Sequence, residues 1–371
     1  MPTGSRAEVT VAGAGVFGAW IAWHLHHAGL RVALVDAYGP ANSRASSGGE
    51  SRILRMAYGA REHYTRWSVR SLQLWREFAA LSGEEIFVPC GALWLHPPDD
   101  VFAAQTVKAF QAHGVRYEAM APDVLAERFP QFAARGSHAV YEPHAGALLA
   151  RRSVQALVRW LAANGVRYEQ RRVNPRELDG ETVVYACGPW LPRLFPELLG
   201  NRIVATRQEV LFFGVPPGSS SFGPQSMPCW VDVESQYYGI PDLESRGFKI
   251  AHDVRGVAID PDTENRSVSR EAVEKVRDYL AARFPALAGA PLVETRVCQY
   301  ENTSNGDYLL DRHPDKERVW LAGGGSGHGF KHGPMAGKYM AGQIMGSMPV
   351  DARFGLAAKL DCSDGAASSS L

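Results

Sequence analysis

This chain has no charge of one sign in excess. Lys and Arg together number 39, and Asp and Glu together also number 39. No global basic field therefore points to nucleic acid, and no acidic bias points to a solvating tail, so a small-molecule substrate is expected. No run is long and apolar enough to cross a bilayer. The apolar stretch near the N-terminus is broken by glycines and histidines and lacks a small-residue cleavage site after a basic start, so it does not read as a secretion signal. Cysteine is sparse: Cys90, Cys187, Cys229, Cys298 and Cys362 are scattered, odd in number and without a C-x-x-C pair. That usage excludes a disulfide framework and a zinc site, and it suits a reducing, cytoplasmic compartment. His24, His26 and His27 have no carboxylate or thiol near them in sequence, so the expectation is a solvated helix face and no metal.

What is present is concentrated between residues 11 and 36, VAGAGVFGAWIAWHLHHAGLRVALVD. It reads as an apolar strand, Gly13, Gly15 and Gly18 in G-x-G-x-x-G spacing, an amphipathic helix, a second apolar strand and Asp36 at its end. Glycines let a pyrophosphate approach the backbone, and the following helix N-terminus offers amide donors and a positive dipole end. Asp36 stands where an acid hydrogen-bonds an adenosine ribose, which argues against a 2′-phosphate. Gly29 ends the helix as a C-cap.

At 371 residues the chain has length for two to three domains. Residues 61 to 82 read as a helix carrying Trp67, Leu74, Phe78 and Leu81, and 152 to 163 as another carrying Val154, Leu157, Val158 and Leu161. Between them Ala92 to Trp94 read as strand and Val101 to His113 as a short helix, an insertion into the nucleotide domain. From Arg207 to Arg296 short β-prone runs at 210–213, 230–233, 237–240 and 248–252 predict a mostly antiparallel sheet. A helix follows with Val273, Val276, Leu280 and Phe284 on one face. Such a sheet can wall a pocket against the nucleotide domain.

Two later strands return to the first domain. Thr182 to Ala186 runs into Cys187-Gly188-Pro189-Trp190, and Val319 to Ala322 into GGGSGHGFKHGP. Gly323, Gly324, Gly325, Gly327 and Gly329 between a strand and a helix imply a close ligand contact, and a cofactor longer than one βαβ unit can hold.

Ser51-Arg52-Ile53-Leu54-Arg55, the Tyr185 to Trp190 corner, Val297-Cys298-Gln299-Tyr300 and Ser326-Gly327-His328-Gly329-Phe330-Lys331 occur in the order found in the monomeric sarcosine oxidase and N-methyl amino acid oxidase family. The chain resembles these FAD-dependent amine oxidases, relatives of D-amino-acid oxidase, from residue 8 to residue 350. The resemblance implies an α/β plus α+β fold: a Rossmann-type FAD-binding domain (1–87, 145–205, 297–359) interleaved with an antiparallel-sheet substrate domain (88–144, 206–296). The Ala-, Ser- and Gly-rich tail at 360–371 has no counterpart in the family and is expected to be disordered.

The resemblance also implies roles. Gly13, Gly15, Gly18, Asp36, Ser47, Arg52, Val173, Gly324, Gly327, Gly329 and Lys331 fall to the cofactor, Val173 through a backbone contact to adenine. On sequence alone Cys298 is an inert strand residue; the family links the matching cysteine to the flavin 8α-methyl carbon. Arg55 and Lys331 match the pair that holds the substrate carboxylate, a planar fork and a compact charge. Lys249, which a half-exposed strand would turn to water, matches a family lysine by the flavin N5 edge that assists oxygen. Tyr238 and Tyr300 match pocket aromatics.

The chain also departs from the family. Gly48 replaces a family histidine, and a second pocket histidine matches His252 only across a one-residue gap. The expectation is oxidation of a secondary or N-methylated amino acid to an imine, with oxygen as acceptor and peroxide formed, by a monomer. An electron-transferring dehydrogenase or subunit, and a flavin-bearing sensor without turnover, remain open alternatives.

Overall fold

The computed structural model describes residues 7–133, 136–174 and 182–362. The opening strand, Val9–Ala12, is buried along its whole length, because a parallel strand covered on both faces exposes neither row of side chains. It lies inside a six-stranded sheet whose spatial order is Leu309–Arg312, Val319–Gly323, Thr182–Tyr185, Val9–Ala12, Val32–Asp36, Arg167–Gln170. Its pairings are parallel except at the Leu309–Arg312 edge. From Val9–Ala12 the chain turns first to one neighbour and much later to the other. That reversal opens a crevice at the carboxyl ends of the two central strands, where nucleotides bind in sheets of this kind.

Glycine at the crevice is a steric requirement. The Ala186 amide donates to the Ala12 carbonyl at 2.7 Å. A Cβ on Gly13, whose φ is +107°, would lie 2.2 Å from the Ala186 oxygen, and one on Gly18 would lie 1.8 Å from the Gly13 oxygen. Strand, corner and opening helix (Val16–His27) therefore close on one another with no side chain between them. The late strand Val319–Gly323 leads to the closing helix, Gly333–Ile344, which carries Pro in its first turn and packs along the opening helix.

A second sheet has eight strands in the order Leu292–Thr303, Ile203–Phe213, Phe248–His252, Tyr237–Ile240, Cys229–Asp232, Ala92–His96, His138–Glu142, Glu118–Met120. It is antiparallel but for the pairing of Cys229–Asp232 with Ala92–His96. The insertion thus joins the later antiparallel run in one layer. One strand, Leu292–Thr303, crosses the 296/297 division anticipated between substrate and cofactor segments, so its C-terminal half carries Cys298 and Tyr300 toward the cofactor side. A third sheet has three strands in the order Ser51–Leu54, Gly146–Leu149, Phe87–Val88.

Three readings of side chains change. On the helix Glu62–Ser82 the inward aromatics besides Phe78 are Tyr64 and Trp75, while Leu81 is exposed and Trp67 is half-buried. His24 is not on a solvated face: its Nε2 lies 2.9 Å from the Pro334 carbonyl of the closing helix. Burial holds the ring's pKa down to about 4. Among the described residues no group of His, Cys, Asp and Glu side chains is arranged to hold a metal, and no helix is long and apolar enough to cross a membrane. Residues 363–371, most of the tail expected to be disordered, lie outside the described residues.

Candidate active site

The crevice opens into a cavity. Gly15, Val16 and Phe17 at the start of the opening helix form its floor, and Asp36, Ser47, Arg52, Val173, Gly327 and Gly329 contribute to its walls. Asp36 is held in place by backbone donors: Ala14 N reaches one carboxylate oxygen at 2.7 Å, and Tyr38 N and Gly39 N reach the other at 2.8 Å. Burial raises its pKa, and those three amides oppose the rise. Ser47 Oγ accepts from Val16 N at 3.0 Å, so a loop serine caps the opening helix from outside it.

Four expected contacts lie outside this wall: Cys298 and Lys331, described below, and Gly18 and Gly324. Gly18 serves the helix–strand approach and is not in the cavity wall. Gly324 is also behind the wall: it takes φ +68°, and a Cβ there would strike Thr303 at 2.6 Å. Its amide donates to the Glu301 carboxylate at 3.1 Å. Glu301 faces the cavity and was not foreseen; burial pushes its pKa up to about 7. Glu301 lies within a strand of mixed polar and apolar residues, and nothing in its neighbours marks it as facing the cavity, so sequence carried no signal for it.

The cavity's glycine floor, helix N-terminus, ribose-facing acid and length beyond one βαβ unit fit FAD. Gly15, Asp36, Ser47, Val173, Gly327 and Gly329 are the residues that would hold it.

A smaller cavity adjoins the first and shares Arg52, Tyr300, Gly327 and Phe330 with it. Arg55, Lys331, Tyr238 and Asp253 complete the part of the wall that carries chemistry. Arg55 is 6% exposed and Lys331 4%. The Arg55 guanidinium lies 4.5 Å from the Tyr58 ring and 4.7 Å from that of Trp94, and donates to the Ala57 carbonyl. Glu142, fully buried, accepts from Met56 N at 2.7 Å and Trp94 Nε1 at 2.8 Å, which fixes the turn after Arg55.

Lys331 Nζ donates to Tyr58 Oη at 2.8 Å and to the His328 carbonyl at 3.2 Å, while Trp75 Nε1 holds the Lys331 carbonyl at 3.0 Å. Burial first, and the Arg55 charge second, press the Lys331 pKa well below its ordinary value. A carboxylate entering the cavity would oppose both effects, because its negative charge favours the ammonium. Tyr58, Trp75, Trp94 and Glu142 were not foreseen as parts of this clamp, because only tertiary packing brings them to Arg55 and Lys331.

Arg52 spans both cavities. It donates to the carbonyls of Ser51 at 2.8 Å and Ser46 at 2.7 Å, and its Nη2 lies 3.6 Å from Cys298 Sγ. Cys298 itself is half-buried just behind the wall. Lys249, 3% exposed, donates to the Ser51 carbonyl at 2.7 Å. Burial, then the Arg52 charge, lower its pKa to about 7. It does not face water.

The match to His252 fails on strand parity. In Phe248–His252 alternate residues face opposite sides, so Lys249 and Ala251 share one face and His252 takes the other. His252 stacks on Tyr237 with ring centroids 4.5 Å apart, outside both cavity walls. Asp253 continues the inward parity and reaches the cavity instead.

A family model described as FAD dependent oxidoreductase matches residues 8–343. The monomeric sarcosine oxidase of Bacillus sp. (strain B-0618) is 29% identical over 355 residues, covering 90% of this chain and 91% of that protein. The N-methyl-L-tryptophan oxidase of Yersinia pestis (strain Pestoides F) is 26% identical over 352 residues, covering 90% and 94%. Among solved structures, L-proline dehydrogenase from P. horikoshii superposes with a TM-score of 0.81 at 19% identity, over 95% of this chain and 97% of that one. Glycine oxidase from Geobacillus kaustophilus gives 0.77 at 20% identity, over 95% and 98%. With the crevice, the glycine floor and the match over most of its length, this chain belongs to the FAD dependent oxidoreductase family.

Proposed function

We propose that the chain oxidises a secondary or N-methylated amino acid to its imine, with oxygen as acceptor and hydrogen peroxide as product. The observation that carries this reading is the convergence of Arg55 and Lys331, distant in sequence and both buried, on a cavity continuous with the cofactor crevice. Two desolvated cations at one wall grip a carboxylate, and that grip holds the neighbouring C–N bond in one orientation. FAD supplies the two-electron acceptor, and the protein supplies position and charge. The substrate loses a hydrogen with two electrons from carbon and a proton from nitrogen; water then hydrolyses the imine. The electrons pass finally to oxygen, which leaves as hydrogen peroxide.

Cys298 is the proposed point of covalent attachment, through its sulfur and the flavin 8α carbon, with Arg52 alongside. Lys249 is the proposed oxygen-activating cation. Tyr238 and Tyr300 wall the substrate, and burial pushes the Tyr238 pKa up to about 12, so both act as neutral phenols. The chain is proposed to act as a monomer, and the free cysteines suit a reducing cytoplasm.

The test is an anaerobic screen of secondary, N-methylated and cyclic amino acids for loss of flavin absorbance, followed by readmission of oxygen. The reading predicts bleaching by members of this class and stoichiometric peroxide on reoxidation. Bleaching without peroxide would transfer the chain to the dehydrogenases, and no bleaching by any amine would refute the enzyme assignment.

A further inference from the structure

We propose that Asp253 recognises the substrate's nitrogen, so that the smaller cavity selects amino acids over plain carboxylates. This deepens the function proposed above and rests on it. The charged side chains in the wall are Arg52, Arg55, Lys331 and Asp253: three cations and one acid. An amino acid entering with its carboxylate on Arg55 and Lys331 has a nitrogen one carbon away. The acid on the same wall is the complement to that second charge.

Asp253 is built into the wall. It inherits the inward parity of Lys249 and Ala251, and its amide donates to the Gln236 carbonyl at 2.7 Å. That carbonyl belongs to a turn where Gln236 takes φ +56°, which clamps the end of the strand. Tyr300 Oη donates to Asp253 Oδ1 at 3.1 Å. A carboxylate offers about four acceptor sites, so Asp253 can receive a substrate N–H beside the partners it already has. The Asp253 charge also reaches Lys331, Tyr238 and Tyr300 and favours protonation of each. Burial lowers the Lys331 pKa and raises those of the two phenols; the Asp253 charge opposes the first shift and adds to the second. A nitrogen-bearing substrate gains a charge-assisted hydrogen bond that an isosteric hydrocarbon acid cannot make.

The experiment titrates the flavin spectrum of the FAD-loaded protein, without oxygen, with glycine and with propionate, which differ by an ammonium in place of a methyl group. The wild type should bind glycine at least about tenfold more tightly, the discrimination expected of one hydrogen bond to a charged group. Asp253→Asn retains an acceptor for Tyr300 but removes the charge; it should lower the glycine-to-propionate affinity ratio about tenfold, because any change in the carboxylate contact is shared by the two ligands and cancels in the ratio. Equal affinities in the wild type, or an unchanged ratio in the variant, would overturn the role of Asp253 alone. Propionate binding that Arg55→Ala leaves intact would overturn the carboxylate clamp, and this inference with it.

Discussion

Lys331 and Tyr58 are joined by a 2.8 Å hydrogen bond in which the ammonium donates to the phenol oxygen, and the same phenol ring lies 4.5 Å from the Arg55 guanidinium. One tyrosine therefore positions both cations of the proposed clamp. Its hydroxyl, having accepted from Lys331, has its proton available for His328 Nδ1 at 3.2 Å. His328 Nε2 faces the Gly306 carbonyl at 2.9 Å and so carries the ring proton, while burial keeps the imidazole neutral. Tyr308 Oη, between His328 and His332, and Ser68, on His332 Nε2 at 2.7 Å, continue the chain.

Tyr58→Phe keeps the ring under Arg55 and removes the oxygen that orients Lys331. We expect KM for the amino-acid substrate to rise about tenfold, the cost of one hydrogen bond to a charged group, with a smaller change in kcat. Steady-state kinetics decide it, and an unchanged KM would show that Lys331 needs no such support.

Lys249→Met should separate the two halves of the reaction. Flavin reduction by the amine should stay within about twofold, while reoxidation by oxygen should slow about a hundredfold, as when a preorganised charge-stabilising group is removed. In the wild type the Lys249 pKa stands at about 7, so its cation is present below that pH and lost above it. Oxygen reactivity should therefore decline as pH rises through about 7, and stopped-flow reoxidation across that range checks both statements.

Acid precipitation tests the attachment. The wild-type pellet should stay yellow, and Cys298→Ser should release its flavin to the supernatant. Equal release from both proteins would refute the thioether.

His24 makes a stability prediction. Its folded pKa of about 4 lies below the ordinary histidine value of 6.5, so between these pH values the unfolded chain binds the extra proton and stability falls with acidification. From that difference, roughly 2 kcal/mol is lost from this residue by pH 5. His24→Gln removes the titration, so urea unfolding at pH 7 and pH 5 should show a smaller acid loss in the variant; an equal loss would place the sensitivity elsewhere.

What sequence made legible is local in its causes. The Gly13 turn, Asp36 and the strands around them follow from spacing within 26 residues, because one βαβ unit sets its own geometry. Arg55 and Lys331 were legible only through resemblance, since 275 residues intervene and nothing local aims two cations at one cavity. Lys249 shows the limit of composition: its strand is buried by neighbours from other parts of the chain, so its exposure could not be read from its own residues. His252 shows the limit of matching with gaps, because a one-residue shift turns a strand side chain to the opposite face. The short strand pairings of Ser51–Leu54 with Gly146–Leu149 and Phe87–Val88 went unread for a related reason: their register comes from distant partners.

The most direct test of the clamp compares the amino acid that bleaches the flavin fastest with the same amine lacking its carboxylate, in the wild type and in Arg55→Ala, by anaerobic stopped-flow absorbance. The account predicts rapid bleaching by the amino acid in the wild type, with a loss of about a hundredfold or more when either the carboxylate or Arg55 is removed, and little further loss when both are. Equal bleaching by the two amines in the wild type, or additive losses in the double comparison, would contradict it.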